Sequence, residues 1–300
     1  HSHPSLLVNK RSGVCPVTSG SGRPPARPMR YNLLSFLCAV TVIAYIQRSA
    51  LGVPSKRIEG ELGLGPQDMG LVWLAWYMGY AAFQLPAGWL ADRFGSKPAL
   101  IVFAVVWSLL TALTGTATGF TSLCVLWGVM GLAQAGIFVC AAQAISVTFP
   151  KTEQAFASGA LACCMAGGAA LSQYLTGLLI DSLSWQNILA LYALPGLVWA
   201  IAFALIVPAP ERSAPGNTVN PSPLPTAPPS PVRWSRLLTD PQMILLCAQQ
   251  FQRAAAVALF FTWFPRYLQE KMHVSEADSG RLAAWPLIGN AISGRCSSPG

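Results

Sequence analysis

The sequence predicts an all-α fold, a polytopic bundle of helices that cross a membrane, and three observations predict it. Of 300 residues, 53% are hydrophobic and only 10% charged, whereas soluble domains carry about 25% charged residues. The apolar residues gather into runs close to the roughly 20 residues that a helix needs to cross a bilayer. These runs are too long and too evenly apolar for membrane β-strands of about 10 alternating residues. The charged residues lie mainly between the runs. A net charge of +8 is compatible with nucleic acid, but the basic residues form no basic helix or interleaved aromatic patch, so no nucleic-acid partner is expected.

Residues 1–30 are polar, basic and rich in Pro, Gly and Ser, with no apolar core that would make them a secretory signal. They read either as a disordered cytoplasmic tail or, because Met29 directly precedes the first run, as a non-native extension. Spans are expected over 31–53, 69–91, 98–119, 121–149, 155–180, 187–207, 243–267 and 282–294, the last cut short. The first six make one unit, 31–208. A second unit begins at 241 and occupies 241–300. Between them, 209–240 holds Pro210, Pro215, Pro221, Pro223, Pro225, Pro228, Pro229 and Pro231, and so reads as a semi-rigid linker.

The basic residues also orient the bundle. Lys10, Arg11, Arg23, Arg27 and Arg30 precede the first span, and Arg93, Lys97, Lys151, Arg212, Arg233 and Arg236 fall on the same side. The opposite side holds only Lys56, Arg57, Arg266, Lys271 and Arg281. The positive-inside rule therefore predicts a cytoplasmic N-terminus and linker, in the cell (inner, plasma) membrane.

Cys38, Cys124, Cys140, Cys163, Cys164 and Cys247 lie within apolar runs, where cysteine behaves as a small hydrophobe. His1, His3 and His273 lie outside the spans, and no His-Glu-x-x-His, Gly-x-Ser-x-Gly or phosphate-binding loop occurs. No cofactor, no metal and no enzymatic activity are expected. Small residues recur on span 5 at Gly159, Cys163 and Gly167, and at Ala160, Cys164, Gly168 and Ser172, a pattern that serves either static packing or helices that slide.

Arg48 and Arg253 are the only charges well inside the spans. An arginine in hydrocarbon costs at least about 2.5–3.5 kcal/mol, so it usually faces a wet cavity. Arg253 is near the middle of span 7, about 15 Å from either end at 1.5 Å per residue, beyond the reach of its own side chain. Arg48 is five residues from Val53, and snorkelling to the surface is a second reading. No Asp, Glu or His accompanies them, so the cavity should carry positive potential and favour an anion, with the planar guanidinium suited to carboxylate or phosphate. Tyr45, Gln47, Gln134, Gln143, Gln173, Gln250 and Asn290 are candidates to complete the site, each with a second reading as an interhelical hydrogen-bonding residue. Trp73, Trp76, Tyr77 and Tyr80 form a stripe at i, i+3, i+4 and i+7. Trp73 fits packing or an interfacial belt, and Tyr80, being deeper, fits the cavity.

The stretch Gly88-Trp89-Leu90-Ala91-Asp92-Arg93-Phe94-Gly95-Ser96-Lys97 reads as a tight, charged, glycine-bounded turn between spans 2 and 3. It resembles the signature loop of the major facilitator superfamily of secondary transporters, Gly-x-x-x-Asp-Arg/Lys-x-Gly-Arg-Arg/Lys, departing only at Ser96. Phe83-Gln84-Leu85-Pro86-Ala87-Gly88, Phe149-Pro150-Lys151-Thr152-Glu153 and Trp263-Phe264-Pro265-Arg266-Tyr267-Leu268 extend the likeness to the anion:cation symporter branch. The resemblance implies the major facilitator fold, transport of a small organic anion such as a sugar acid by alternating access, and Asp92 as part of a gating motif with Gly88, Arg93, Gly95 and Lys97. It implies twelve spans in a complete member, so about four are expected to be missing and this polypeptide alone is expected not to transport; its expected partners are the anion and the bilayer, as a monomer. Many members have an Asp before the span-1 arginine and a Glu in span 4, associated with cation coupling. Gln47 and Gln134 stand there here, which puts proton symport by that route in doubt. A transporter-like receptor and an inactive fragment are the alternative readings.

Overall fold

The computed structural model describes residues 27–207 and 239–296, and every regular element in them is helical. Helix α1 (Arg27–Ser49) is followed by the short α2 (Ser55–Leu62), then α3 (Pro66–Phe94), α4 (Ser96–Thr114), α5 (Phe120–Thr148), α6 (Lys151–Leu179) and α7 (Trp185–Ile206). After the linker come α8 (Pro241–Ala258), a π-helical turn (Leu259–Trp263), α9 (Phe264–Lys271) and α10 (Glu276–Cys296). Residues 1–26 and most of 209–240 lie outside the described residues, so the tail and linker readings have no structural counterpart here. By length and composition, α1, α4, α5, α6 and α7 can each cross a membrane.

Local chemistry sets the helix ends. The first helix stops at Ser49, short of the expected 53, because Gly52 and Pro54 follow, and Ala50–Val53 turns into α2. Pro66 opens α3 at a position where its missing N–H is no loss, and the Asp68 carboxylate accepts the Gly65 N–H at 2.8 Å. Ser184 caps α7, accepting from the Asn187 N–H, and Asp240 caps α8 ahead of Pro241.

Two expectations are corrected. The ten-residue turn Gly88–Lys97 contracts to one residue. Asp92 and Arg93 belong to the last turn of α3, and Gly95, at φ +90°, alone breaks the chain before α4. That left-handed backbone suits only glycine. Span 7 is not one regular helix. Pro265 has no N–H to donate, and just before it the Phe264 N–H bonds five residues back to the Leu259 carbonyl, widening the helix into a π turn. The following helix, α10, begins at Glu276, earlier than the expected 282, with Glu276 and Asp278 in its first turn, where acids suit the helix dipole.

The interior of α1–α7 is a continuous apolar core that includes Leu37, Trp107, Trp127, Leu123, Met130, Trp185 and Phe203. Trp73 packs edge-to-face on Trp127 at 5.7 Å, which is a core role. The span-5 stripe divides. Gly168 packs against Val42 and Tyr45 of α1, and the Ser172 hydroxyl donates to the Ile46 carbonyl at 2.7 Å, while Gly159 and Gly167 face open space. Further along α6, Gly177 meets α10 at Gly280. A Cβ on Gly280 would lie 2.6 Å from the Gln173 carbonyl oxygen, so this crossing needs glycine. Ala169, Ala170, Ala284 and Leu287 continue the α6–α10 contact, with Tyr45, Val257 and Phe260 packed on it.

Candidate functional site

Three helices of 29 residues, α3, α5 and α6, supply the middle of the bundle. Their central residues are Tyr80, Gln134 and Met165, and all three line one pocket. Thr41, Ala44, Tyr45 and Arg48 of α1 complete it, with Ile137, Phe138, Ala141 and Leu161. The pocket therefore lies about 20 Å from either end of these helices at 1.5 Å per residue. Its enclosed volume of ≈ 20 Å³ is room for about one water, far below the few hundred Å³ of a small-molecule site.

Arg48 is the only charged residue of the lining. It stands in the last turn of α1, where the carbonyl end of the helix favours a cation. Its guanidinium carbon sits 3.9 Å from the centre of the Trp76 ring and 5.3–5.7 Å from those of Tyr45, Tyr77 and Tyr80. Trp76 and Tyr80 are themselves stacked at 5.1 Å, and Trp76 meets Tyr77 edge-on. The Arg48 Nη1 donates to the Tyr45 hydroxyl at 3.4 Å. Among the described residues, Arg48 makes no ion pair. Four ring faces hold this cation electrostatically and leave most of its N–H donors unspent.

The predicted site residues do not all converge. Arg48, Tyr45, Tyr80 and Gln134 meet at the pocket, Gln134 with its Nε2 donating to the Ala44 carbonyl at 3.1 Å. Gln47 points elsewhere. It is fully buried, and its Nε2 donates to the Tyr192 carbonyl at 2.7 Å and to Ser108 Oγ at 3.4 Å, tying α1 to α7 and α4. Arg253 is exposed on α8 and outside the pocket lining. It lies four residues before Val257, which packs with Tyr45 on the α6–α10 contact. The side chain of Asn290 falls outside the described residues.

Trp76 and Tyr77 are the site residues that sequence reasoning placed in the stripe without assigning to the site. Their signal was the i, i+3, i+4, i+7 spacing, which puts them one turn from Tyr80.

At one end of the bundle, the Gln143 side chain of α5 donates to Asp92 Oδ1 at 2.6 Å. Arg93 lies over Trp89 and Phe94. Lys97 donates to the Ala204 carbonyl at 3.1 Å and to that of Val207, closing the C-terminus of α7. Gly88 packs on Val139 of α5, and Arg30 pairs with Glu153 at 3.5 Å across α1 and α6. Among the described residues, no group of three or more His, Cys, Asp or Glu could hold a metal ion.

These features define a helical membrane bundle with an arginine set in aromatic rings at its centre and a charged, glycine-broken junction at one end. Residues 37–298 match the family model of the Major Facilitator Superfamily, and the chain belongs to that family of transporters. It is 29% identical over 273 residues to the "Probable sulfoacetate transporter SauU" of Cupriavidus necator, covering 88% of this chain and 63% of that protein. It is 28% identical to the hexuronate transporter of Bacillus subtilis, covering 85% of this chain and 60% of that protein. It is also 28% identical to a D-galactonate transporter of Escherichia coli, covering 86% and 64%. The chain thus spans about three fifths of the length of these curated relatives. A solved bacterial homologue of the human lysosomal transporter Spinster, inward-facing and unoccupied, superposes with a TM-score of 0.73 at 19% identity, covering 89% of this chain and 61% of that one. That likeness shows the fold.

Proposed function

We propose that this chain forms the first half and the beginning of the second half of a secondary transporter of small organic anions, within the anion:cation symporter branch, and that Arg48 receives the anion's carboxylate. The observation that carries this reading is the mid-bundle guanidinium held by four ring faces and, among the described residues, paired with no carboxylate. An anion entering there gains a charge-assisted, bidentate contact in a low-dielectric site. The names of the relatives, which speak of sulfoacetate, hexuronates and D-galactonate, support a carboxylate or sulfonate of small size. With room for about one water, the pocket would have to widen to take the anion's charged end at Arg48, and the body would extend toward α8, where the exposed Arg253 is a second cation. Positive-inside placement supports a cytoplasmic N-terminus and linker. The junction of Gly88, Asp92, Arg93, Gly95 and Lys97 then lies at the cytoplasmic end as a gate.

Labelled sugar acids and dicarboxylates offered to proteoliposomes of the full-length protein test the reading. Arg48→Ala and Arg253→Ala should each weaken anion binding about ten-fold or more, since removing a hydrogen bond to a charged group costs about 1.5–3 kcal/mol. Arg253→Lys should not restore it, because an ammonium lacks the planar fork. Well-folded alanine variants that bind the anion as tightly as the parent would overturn the assignment.

A further inference from the structure

Helices α1 and α6 run side by side in one direction and touch in a repeating register. The Ser172 hydroxyl donates to the Ile46 carbonyl at 2.7 Å. One turn earlier on both helices, Gly168 meets Val42, where an added Cβ would lie 2.7 Å from the Val42 carbonyl oxygen and 3.0 Å from its Cα. One further turn back, the same register sets Cys164 opposite Cys38, and their thiols share a hydrogen bond. Small residues at four-residue spacing let the two backbones approach closely. Close backbones are what a disulfide needs, with Cα atoms about 4.4–6.8 Å apart. Neither thiol is buried. The pair stands at the rim of the central pocket, because Thr41, three residues after Cys38, and Met165, next to Cys164, both line it. Cys163 stands on the neighbouring stripe with Gly159 and Gly167, where a Cβ added to either glycine would meet nothing within 4 Å.

We propose that Cys38 and Cys164 are a reversible oxidation site, closed by hydrogen peroxide to a disulfide between α1 and α6, and that the closed form weakens anion binding. The second part rests on the transporter reading above. One sulphur, as thiolate, attacks a peroxide oxygen and the O–O bond breaks. The departing hydroxide takes the proton that the thiol gave up and becomes water, leaving a sulfenic acid on that cysteine. The second sulphur then attacks the sulfenic sulphur. An S–S bond forms, the S–O bond breaks, and the hydroxyl leaves as a second water with the second thiol's proton. Together the thiols lose two electrons and the peroxide gains them. Hydrogen peroxide is close to water in size, which suits a site beside a pocket with room for about one water. The hydrogen bond holds the second thiol against the first, so the sulfenic acid meets a thiol before it meets a second peroxide. The disulfide ties α1, which carries Tyr45 and Arg48, to α6 at the edge of a pocket that has to widen before an anion enters. A covalent tie at that edge opposes the widening.

The test uses the full-length protein in nanodiscs, first reduced with a phosphine and then treated with hydrogen peroxide. Remaining thiols are alkylated, the protein is digested, and mass spectrometry reads the cross-linked peptides. The peptide carrying Cys38 should be joined to the one carrying Cys164, and a reductant should part them. Cys38→Ser and Cys164→Ser should each abolish the link, and Cys163→Ser should leave it. A labelled sugar acid is titrated alongside. The oxidised parent should bind it several-fold more weakly than the reduced parent, reductant should restore the affinity, and peroxide should not change the affinity of Cys38→Ser. The oxidised and reduced parent are compared without any substitution, so the test stands if a serine variant fails to fold. Sulfinic acid on single cysteines with no link, or a link lost in Cys163→Ser and kept in Cys164→Ser, would overturn the site. A link that forms without changing the affinity would overturn its effect on the pocket. A link in a protein that binds no anion in either state would defeat the transporter reading and leave the oxidation site standing.

Discussion

Replacing Trp76 with leucine removes the ring on which Arg48 rests and leaves the arginine in place. The guanidinium carbon is 3.9 Å from the ring centre, and Trp76 is 1% exposed, so the contact is desolvated. A desolvated cation–π contact contributes about 2 kcal/mol, equivalent to about 30-fold in an equilibrium constant. Tyr45, Tyr77 and Tyr80 remain within 5.3–5.7 Å and retain part of the hold. The expected loss of anion affinity is therefore about 10- to 30-fold, read by titrating a labelled sugar acid against the full-length protein in nanodiscs. The same change opens a cavity, and loss of a buried tryptophan side chain typically costs about 3–5 kcal/mol of stability, so thermal unfolding is recorded in parallel. Trp76→Phe separates the effects, keeping a ring face at smaller volume, and should stay closer to the parent. A folded Trp76→Leu protein with unchanged affinity, or Phe and Leu variants weakened equally, would refute the argument that the ring orients Arg48 for the anion.

Asp92→Asn keeps a side chain that can accept from Gln143 but removes the charge at the end of α3; transport turnover should fall more than anion affinity, and a variant with parental turnover and parental accessibility to thiol reagents would count against a gating role. Proton coupling through this chain should be weak, because Gln47 and Gln134 are amides bound to backbone carbonyls. Anion exchange should therefore continue when an uncoupler collapses the proton gradient, and strict gradient dependence surviving replacement of the carboxylates in the rest of the full-length protein would sink this.

Bilayer thickness acts on composition, so the helical class and most of the spans could be read from runs of apolar residues. The conformation around Gly95 was legible for a similar reason, since glycine between two charged helix ends has few other uses. What escaped was geometry between helices. Gln47 is a site candidate as an uncharged polar residue within span 1, yet it adjoins Arg48, and neighbours on a helix diverge by about 100°. If Arg48 faces the pocket, Gln47 must face away, and it meets Tyr192 and Ser108. The spacing of Trp73, Trp76, Tyr77 and Tyr80 put them on one face, but only the registers of α1 and α5 decide that Trp73 packs on Trp127 while Trp76 receives Arg48. Span 7, expected unbroken over 243–267, instead widens into a π turn just before Pro265. The pairing of Glu59 with Arg266, 207 residues apart, had no local signal at all.

The arginines of this chain differ in how their charge is met, and that difference follows their position. Arg266 has two carboxylates and Arg57 one, all at the end of the bundle where α2, α9 and α10 meet. Arg48 at mid-bundle has ring faces instead, with one long contact to the Tyr45 hydroxyl at 3.4 Å. A carboxylate partner would consume the directed N–H donors and cancel the field that draws an anion inward. Ring faces do neither. They attract the cation, by about 2 kcal/mol when desolvated, and set no carboxylate oxygen against its five N–H donors. If Arg48 receives the anion as proposed, an arginine held in this way is stable enough to be kept inside the bundle, yet under-compensated enough to favour the incoming charge. A paired arginine in the same place would be a strut.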